Sequence, residues 1–424
     1  MKIKLFLKKL DFGLEKKEIS EIRKRANYFV EMIKKSISRN GIDADVFVGG
    51  SFAKGTITKN QEYDIDIFVR FGWKYESLSD ILEGLLRDVG KSMKISIFRM
   101  HGSRDYFRFD AGDRISFEII PVVRIKKVRE ARNVTDLSYF HVNYVKRNLN
   151  KNIAREINLA KKFCKARRVY GAESYINGFS GYGLECLIIY YKSFEKMIRE
   201  LVKIKERIVI DPAKHYKKKE NVFYEMNESK LNGPIILVDP TWKERNVLAA
   251  LNWESFMKFQ SDCKRFLKNP SGKFFEFESI DEKKILEFAK GKKAEFVHVI
   301  LETNRQEGDI AGTKLKKFVQ FLEREISKYF EVLSKEFSYS LGRKADFYIV
   351  AKSKREIIRI GPPKEMKKGA SEFRKKNKNV FEKNGILHAK VRVDFSTREF
   401  LEKFSREEKK KINEMSITNL TVKT

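Results

Sequence analysis

Asp64-Ile65-Asp66 places two carboxylates one residue apart within a run, Tyr63 to Phe71, that alternates apolar and polar side chains. Side chains alternate along a strand, so Asp64 and Asp66 share one face while Ile65 takes the other. Two like charges so close repel unless a cation lies between them. Magnesium meets that need, being a hard ion that takes oxygen ligands and binds one or two carboxylates together with substrate phosphates. Taken alone, such a pair is an ordinary solvated feature, but two neighbours change that. Gly49-Gly50-Ser51 precedes the strand as a turn that can offer backbone N–H groups and the Ser51 hydroxyl to a phosphate, above all if a helix begins there. Glu118 lies on a second strand-like run, Ile115 to Ile120, in which Phe117 and Ile119 face the other way. Together these residues suggest a metal site for phosphoryl chemistry.

The surrounding pattern predicts the elements that position them. From Lys16 to Ser38, Ile19, Ile22, Ala26, Phe29, Val30 and Ile33 recur at helical spacing and predict an amphipathic helix that ends near Asn40-Gly41. Ala44 to Val48, Tyr63 to Phe71, Ile95 to Met100, Tyr106 to Phe109 and Ile115 to Val123 read as strands, with a helix over Leu78 to Val89. Residues 1–141 therefore form an α/β head with a mixed sheet. Residues 142–268 open on a helix, Ile153 to Ala166, with Ile153, Ile157, Ala160, Phe163 and Cys164 as its apolar stripe, and read as mainly helical. Residues 269–424 contain a strand at Phe296 to Glu302, a helix at Lys314 to Val332 and a strand at Phe347 to Ala351, the pattern of a small α/β sandwich. The fold class is α+β and multidomain.

Composition narrows the function. A length of 424 residues suggests about three domains. With 42% hydrophobic and 35% charged residues and only 7 prolines, collagen-like, low-complexity and mainly disordered chains are excluded. Lys and Arg number 90 against 58 for Asp and Glu, a formal charge of +32 that points to a polyanion: nucleic acid, an anionic membrane surface or a ribosome-like assembly. Cys164, Cys186 and Cys263 have neither a CxxC spacing nor a close His, so they support no disulfide framework and no zinc site, and a reducing cytoplasm fits best. The N-terminal MKIKLFLKKLDFG has too short and interrupted an apolar stretch for a signal-peptide core. The apolar region Leu184 to Tyr191, broken by Glu185, falls well short of the roughly 18 residues that span a bilayer, so no membrane segment is expected. Lys214 to Lys219 and Lys364 to Lys383 are basic patches whose plainer reading is a solvated face.

The Gly-Ser turn, the Asp-x-Asp strand and the later third carboxylate resemble the nucleotidyltransferase superfamily. The resemblance extends through Ala131-Arg132-Asn133-Val134-Thr135-Asp136, Ser138, Phe140-His141, the helix with Lys161, Tyr170-Gly171-Ala172-Glu173, Gly178-Phe179-Ser180-Gly181-Tyr182, Asp239-Pro240 and Arg245-Asn246-Val247 to the archaeal, class I CCA-adding enzymes. It is dense from Gly49 to Val247 and thinner beyond. It implies a template-independent polymerase that restores the 3′ CCA end of tRNA from CTP and ATP and releases pyrophosphate. Poly(A)-polymerase-like and oligoadenylate-type nucleotidyltransferases share the carboxylates, and an RNA-binding protein without catalysis is a further alternative.

The resemblance assigns residues by position. Asp64, Asp66 and Glu118 hold two Mg2+ ions and carry catalysis; the family usually has Asp at the Glu118 position, and Asp110 and Asp113 compete for that role. Gly50, Ser51 and Lys54 meet the phosphates, with Lys54 standing where the family commonly has Arg. Lys161 and Tyr170 clamp the triphosphate, Ser138 and His141 lie near the nucleotide with Tyr139 replacing a usual proline, and Arg245 hydrogen-bonds the incoming base. Each has a plainer reading: Lys161 solvent-facing, Tyr170 packed, His141 at a helix start, Ser138 an N-cap, and Arg245 paired with Glu244 or Asp239. Arg374, Lys375, Lys376 and Lys378, interleaved with Phe373 and Phe381, are the residues expected to grip the acceptor arm and TΨC stem of tRNA, with Arg392 and Arg398 as weaker candidates. The family often dimerises, and the sequence leaves a homodimer open.

Overall fold

The structure is a computed structural model that describes residues 2–59, 62–102, 104–277 and 279–423. The chain divides into two compact units, residues 1–278 and 279–424.

The first unit begins with α1 (Lys2–Lys8), α2 (Lys16–Arg39), β1 (Ala44–Val48), α3 (Gly50–Lys54), β2 (Tyr63–Phe71), α4 (Leu78–Met93), β3 (Phe98–Met100), β4 (Tyr106–Asp110) and β5 (Ile115–Val123). The five strands form one mixed sheet in the order β1-β2-β5-β4-β3. Only β2 and β5 run parallel within it. The expected alternation holds: Ile65, Ile67, Phe117 and Ile119 enter a core with Ile22, Ala26, Phe29 and Ile33 of α2 and Leu82, Leu85 and Leu86 of α4, leaving the carboxylates on the opposite face. The expected turn at Gly49-Gly50-Ser51 is instead the start of α3, closed by Gly55 in a left-handed conformation.

Beyond the head come α5 (Ser138–Asn148), α6 (Lys151–Ala166), α7 (Gly181–Tyr191), α8 (Phe194–Leu201), β6 (Ile208–Ile210), α9 (Val222–Glu225), β7 (Ile235–Asp239), β8 (Trp242–Asn246) and α10 (Trp253–Lys268). These helices build a second core in which Phe163 meets Phe194, Phe259, Phe266, Phe274 and Phe275. A small sheet, β6-β7-β8, accompanies them; its short strands carry no alternation long enough to have been legible in the sequence. Cys164, Cys186 and Cys263 are all reduced and buried.

The second unit contains α11 (Glu282–Gly291), β9 (Glu295–Glu302), α12 (Asp309–Ser327), β10 (Phe330–Tyr339), β11 (Lys344–Ser353), β12 (Glu356–Pro363), α13 (Lys367–Lys376), β13 (Asn379–Lys383), β14 (Ile386–Arg392), α14 (Thr397–Glu407), α15 (Lys409–Glu414) and β15 (Asn419–Val422). It has two sheets, β10-β11-β9-β15 and β12-β14-β13. The helix expected to reach Val332 stops at Ser327, because Phe330, Glu331 and Val332 pair with Ser353, Lys352 and Ala351 across a hairpin. Among the described residues, no helix is long and apolar enough to cross a membrane.

Candidate active site

The parallel register of β2 and β5 sets Asp64 opposite Ser116 and Asp66 opposite Glu118. Partners in register project to the same side, so Asp64, Asp66 and Glu118 share the open face of the sheet. Arg108 of β4, the antiparallel partner of Glu118, projects there too. Its guanidinium lies 3.5 Å from Asp64 Oδ1 and donates to Ser116 Oγ at 2.8 Å. Asp110 accepts from the Gly112 N–H in the turn after β4, and Asp113 is held by Arg25 of α2, which leaves Glu118 as the acid in register with Asp66.

Asp66 is packed against the start of α3. The Gly49 N–H donates to the Asp66 carbonyl at 2.8 Å, and a Cβ on Gly50, whose φ is +58°, would fall 1.6 Å from Asp66 Oδ2. Gly50 is thus required twice, for its left-handed backbone and for the space the carboxylate fills. Burial pushes the Asp66 carboxyl up to about 6; Lys54 and Lys161 oppose the rise and Asp64 adds to it. A buried carboxylate with a like charge beside it is what a divalent cation stabilises. Among the described residues no group of three or more His, Cys, Asp or Glu side chains is gathered closely enough to hold a metal ion. The carboxylate pair Asp64 and Asp66 on one face fits a hard ion that completes its shell with water and phosphate oxygens.

Beside Asp66 lies a buried lysine pair. Lys54 Nζ, at the end of α3, is 2.7 Å from Glu185 Oε2, and Lys161 Nζ, on α6, is 2.7 Å from Glu185 Oε1. Thr56 Oγ1 donates to Glu185 Oε1 at 2.6 Å, and Lys161 also donates to the Thr56 carbonyl and hydroxyl, both at 3.1 Å. Burial favours the neutral acid at Glu185, but Lys161 and Lys54 overcome it and hold the carboxyl down at about 2. The plainer reading of Lys161 as solvent-facing is therefore overturned: it is 2% exposed. Ser51 lies in the first turn of α3, and its carbonyl accepts from the Thr56 N–H. Tyr170 sits close by; a Cβ on Gly181 would meet its hydroxyl at 2.7 Å, and Lys165 Nζ lies 5.0 Å from its ring centre.

A second cluster centres on Asp239, which is fully buried at the end of β7. Arg245 donates to its Oδ2 at 2.6 Å, His141 Nε2 lies 3.1 Å from the same oxygen, and Tyr182 and Thr241 donate to Oδ1 at 3.2 and 2.8 Å. Burial works against the Asp239 charge, but His141, Arg245 and Thr241 hold it well below the usual carboxylate range. Burial also lowers His141, with Asp239 acting the other way. Ser138 is the first residue of α5, one turn before His141, and Leu137 occupies the N-cap position, so the N-cap reading does not hold. The expected pairing of Arg245 with Asp239 is present, within a larger network. Tyr182 joins the two clusters: its ring stacks on His141 at 4.1 Å, and Lys54 Nζ lies 5.8 Å from its centre.

Glu185, Thr56, Tyr182 and Arg108 were not singled out from the sequence for these contacts. Glu185 left a signal, as the one acid breaking the apolar run Leu184 to Tyr191, and a charge on a buried helix demands a partner. In the second unit, Arg374, Lys375 and Lys376 form the last turn of α13 and, with Lys378, are exposed. Phe373 packs on Gly361 of β12, and Phe381 stacks on His388 at 5.5 Å.

Comparison with known proteins places this geometry. A family model for the nucleotidyltransferase domain matches residues 30–161, and one for the second domain of tRNA nucleotidyltransferase matches residues 155–276. A CCA-adding enzyme of Saccharolobus islandicus (strain M.14.25 / Kamchatka #1) is 32% identical over 316 residues, 74% of this chain and 70% of the relative. One from Nanoarchaeum equitans is 39% identical over 260 residues, 60% of this chain; the match spans 63% of that enzyme's length. A solved cytoplasmic RNA terminal U-transferase shares the fold at a TM-score of 0.50 and 13% identity, over 64% of this chain and 96% of that one.

Proposed function

The chain belongs to the family of CCA-adding enzymes, nucleotidyltransferases, and from that membership we propose that it builds the CCA end of tRNA, without a nucleic-acid template, from CTP and ATP. The observation that carries this reading is the shared face of Asp64, Asp66 and Glu118 beside a floor of two buried lysines. Asp64 and Asp66 would hold divalent metal, two Mg2+ ions, with Glu118 alongside. Such ions supply activation of the RNA 3′-hydroxyl and compensation of charge on the α-phosphate and the departing pyrophosphate.

The protein's own groups do the rest. Gly50 keeps the approach to Asp66 clear, and Ser51 and Lys54 receive the β- and γ-phosphates, with Lys161 and Tyr170 behind them. Glu118 accepts the hydroxyl proton or orients the group that loses it. Ser138, His141 and Arg245 receive the base. Asp239 fixes both His141 and Arg245, so the pattern offered to the base is rigid before the nucleotide arrives, which supports selection of C and A by protein groups alone. Arg374, Lys375, Lys376 and Lys378 contact phosphates of the acceptor arm and TΨC stem. The head through residue 141, the central region 142–268 and the RNA-gripping region 269–424 divide this work. The reaction belongs in the cytoplasm, and a homodimer is the assembly to look for by light scattering.

The test is extension of tRNA lacking CCA, resolved at single-nucleotide length. CTP alone should add two residues, and a third should appear only with ATP. Long adenylate tails point to a poly(A)-polymerase-like activity instead, and tight tRNA binding with no extension to an RNA binder.

A further inference from the structure

Glu185 is completely buried on α7 among Leu184, Cys186, Leu187 and Ile188, a setting in which an ionised carboxylate persists only if its hydrogen-bonding capacity is met. Its partners come from distant parts of the chain: Lys54 and Thr56 from the head, 131 and 129 residues away, and Lys161 from α6, 24 residues away. The two lysines are not equivalent. Lys161 gives its three protons to Glu185 Oε1, the Thr56 carbonyl and the Thr56 hydroxyl, so it acts as a strut. Lys54 gives one proton to Glu185, and among the described residues its other two have no acceptor.

We propose that Glu185 is a positioning residue for nucleotide binding: it takes one proton from each lysine, with Thr56 taking the other two of Lys161, and so aims the remaining protons of Lys54 at the triphosphate and fastens the α3 loop to α7. This rests on the reading of Lys54 as a phosphate contact, and it adds a residue that touches neither substrate nor metal. An incoming triphosphate then meets an ammonium already oriented, which lowers the ordering cost of binding. Glu185 should therefore govern the affinity for any nucleoside triphosphate, with no preference for the base.

The test is Glu185→Gln, which keeps the shape and removes the charge. CTP and ATP KM should both rise tenfold or more, with kcat within about threefold and the KM for tRNA unchanged. Lys54→Met separates positioning from simple support: if Glu185 acts through Lys54, Glu185→Gln should add less than about threefold to the nucleotide KM in the Lys54→Met background. Equal effects in both backgrounds, or an unchanged KM in the single variant, would overturn the proposal. If Glu185→Gln does not fold, Thr56→Val is measured instead, since it removes one bond to Glu185 and one to Lys161 and keeps every charge; a nucleotide KM raised severalfold is expected, and an unchanged KM overturns the proposal. Calorimetric titration of CTP with Mg2+, without tRNA, reads the same affinity independently of CCA addition. A parent protein that binds CTP but adds no CCA would defeat the functional reading and leave Glu185 to be judged by this titration.

Discussion

Asp66 on β2 and Glu118 on β5 are partners in a parallel register, so their carboxylates leave the sheet side by side, with Asp64 one step along the same face. In the proposed reaction their work is electrostatic, and the amide of Asn or Gln would not do it. Asp64→Asn and Asp66→Asn are each expected to lower kcat at least roughly a thousandfold, ~4 kcal/mol of barrier, with tRNA affinity within about twofold. Glu118→Gln should fall at least about a hundredfold, while Glu118→Asp, the usual family residue, should stay within about tenfold. Rapid-quench kinetics with tRNA-binding controls read both.

The raised Asp66 carboxyl makes a prediction about stability. Its folded value of about 6 lies above the ordinary 3.8, because burial disfavours its charge. Folding favours the protonated form, so the contribution is fully present below about pH 4 and is lost as pH rises through about 6. Asp66→Asn cannot ionise. In EDTA it should be more stable than the parent at pH 7 by ~1–3 kcal/mol, and the difference should close toward pH 4. Denaturant melts across that range check this, and a difference that widens on acidification would contradict it.

Phe163 is fully buried and touches five other phenylalanine rings. Phe163→Ala should cost ~3–5 kcal/mol, because the surrounding rings cannot all collapse into the space. The check is urea unfolding of the full chain, followed by a probe in the first unit.

Phosphate contacts set the salt dependence of RNA binding. Replacing Arg374, Lys375, Lys376 and Lys378 together with Gln should reduce the slope of log K against log salt by about 3, with nearly equal effects on different tRNA sequences. Filter binding at several salt concentrations measures it. An unchanged slope would place the RNA contacts elsewhere.

The legible parts of the sequence were those in which local pattern and final environment agree. Ile65 and Ile67 had to go inward and Asp64 and Asp66 outward, so strand alternation revealed the carboxylate face before any fold was known. Ile22, Phe29 and Ile33 likewise marked α2. What stayed hidden depends on pairing across the chain. The end of α12 is set by Phe330 meeting Ser353, and helical periodicity alone runs through that boundary. Lys161 stands among other lysines and arginines on α6, and only Glu185 on the next helix and Thr56 far upstream make it a buried strut. Asp239 was visible as a partner for Arg245, but its bonds to His141, Tyr182 and Thr241 come from elements that no local spacing relates.

The most direct measurement of the central claim supplies a tRNA lacking CCA with all four nucleoside triphosphates at once and sequences the 3′ ends of the products. Nearly every extended molecule is expected to end in C, C and A and to stop there, because the proposed mechanism has the base chosen by a fixed set of protein groups. Homopolymer tails, or U and G incorporated at rates comparable to C and A, would contradict it.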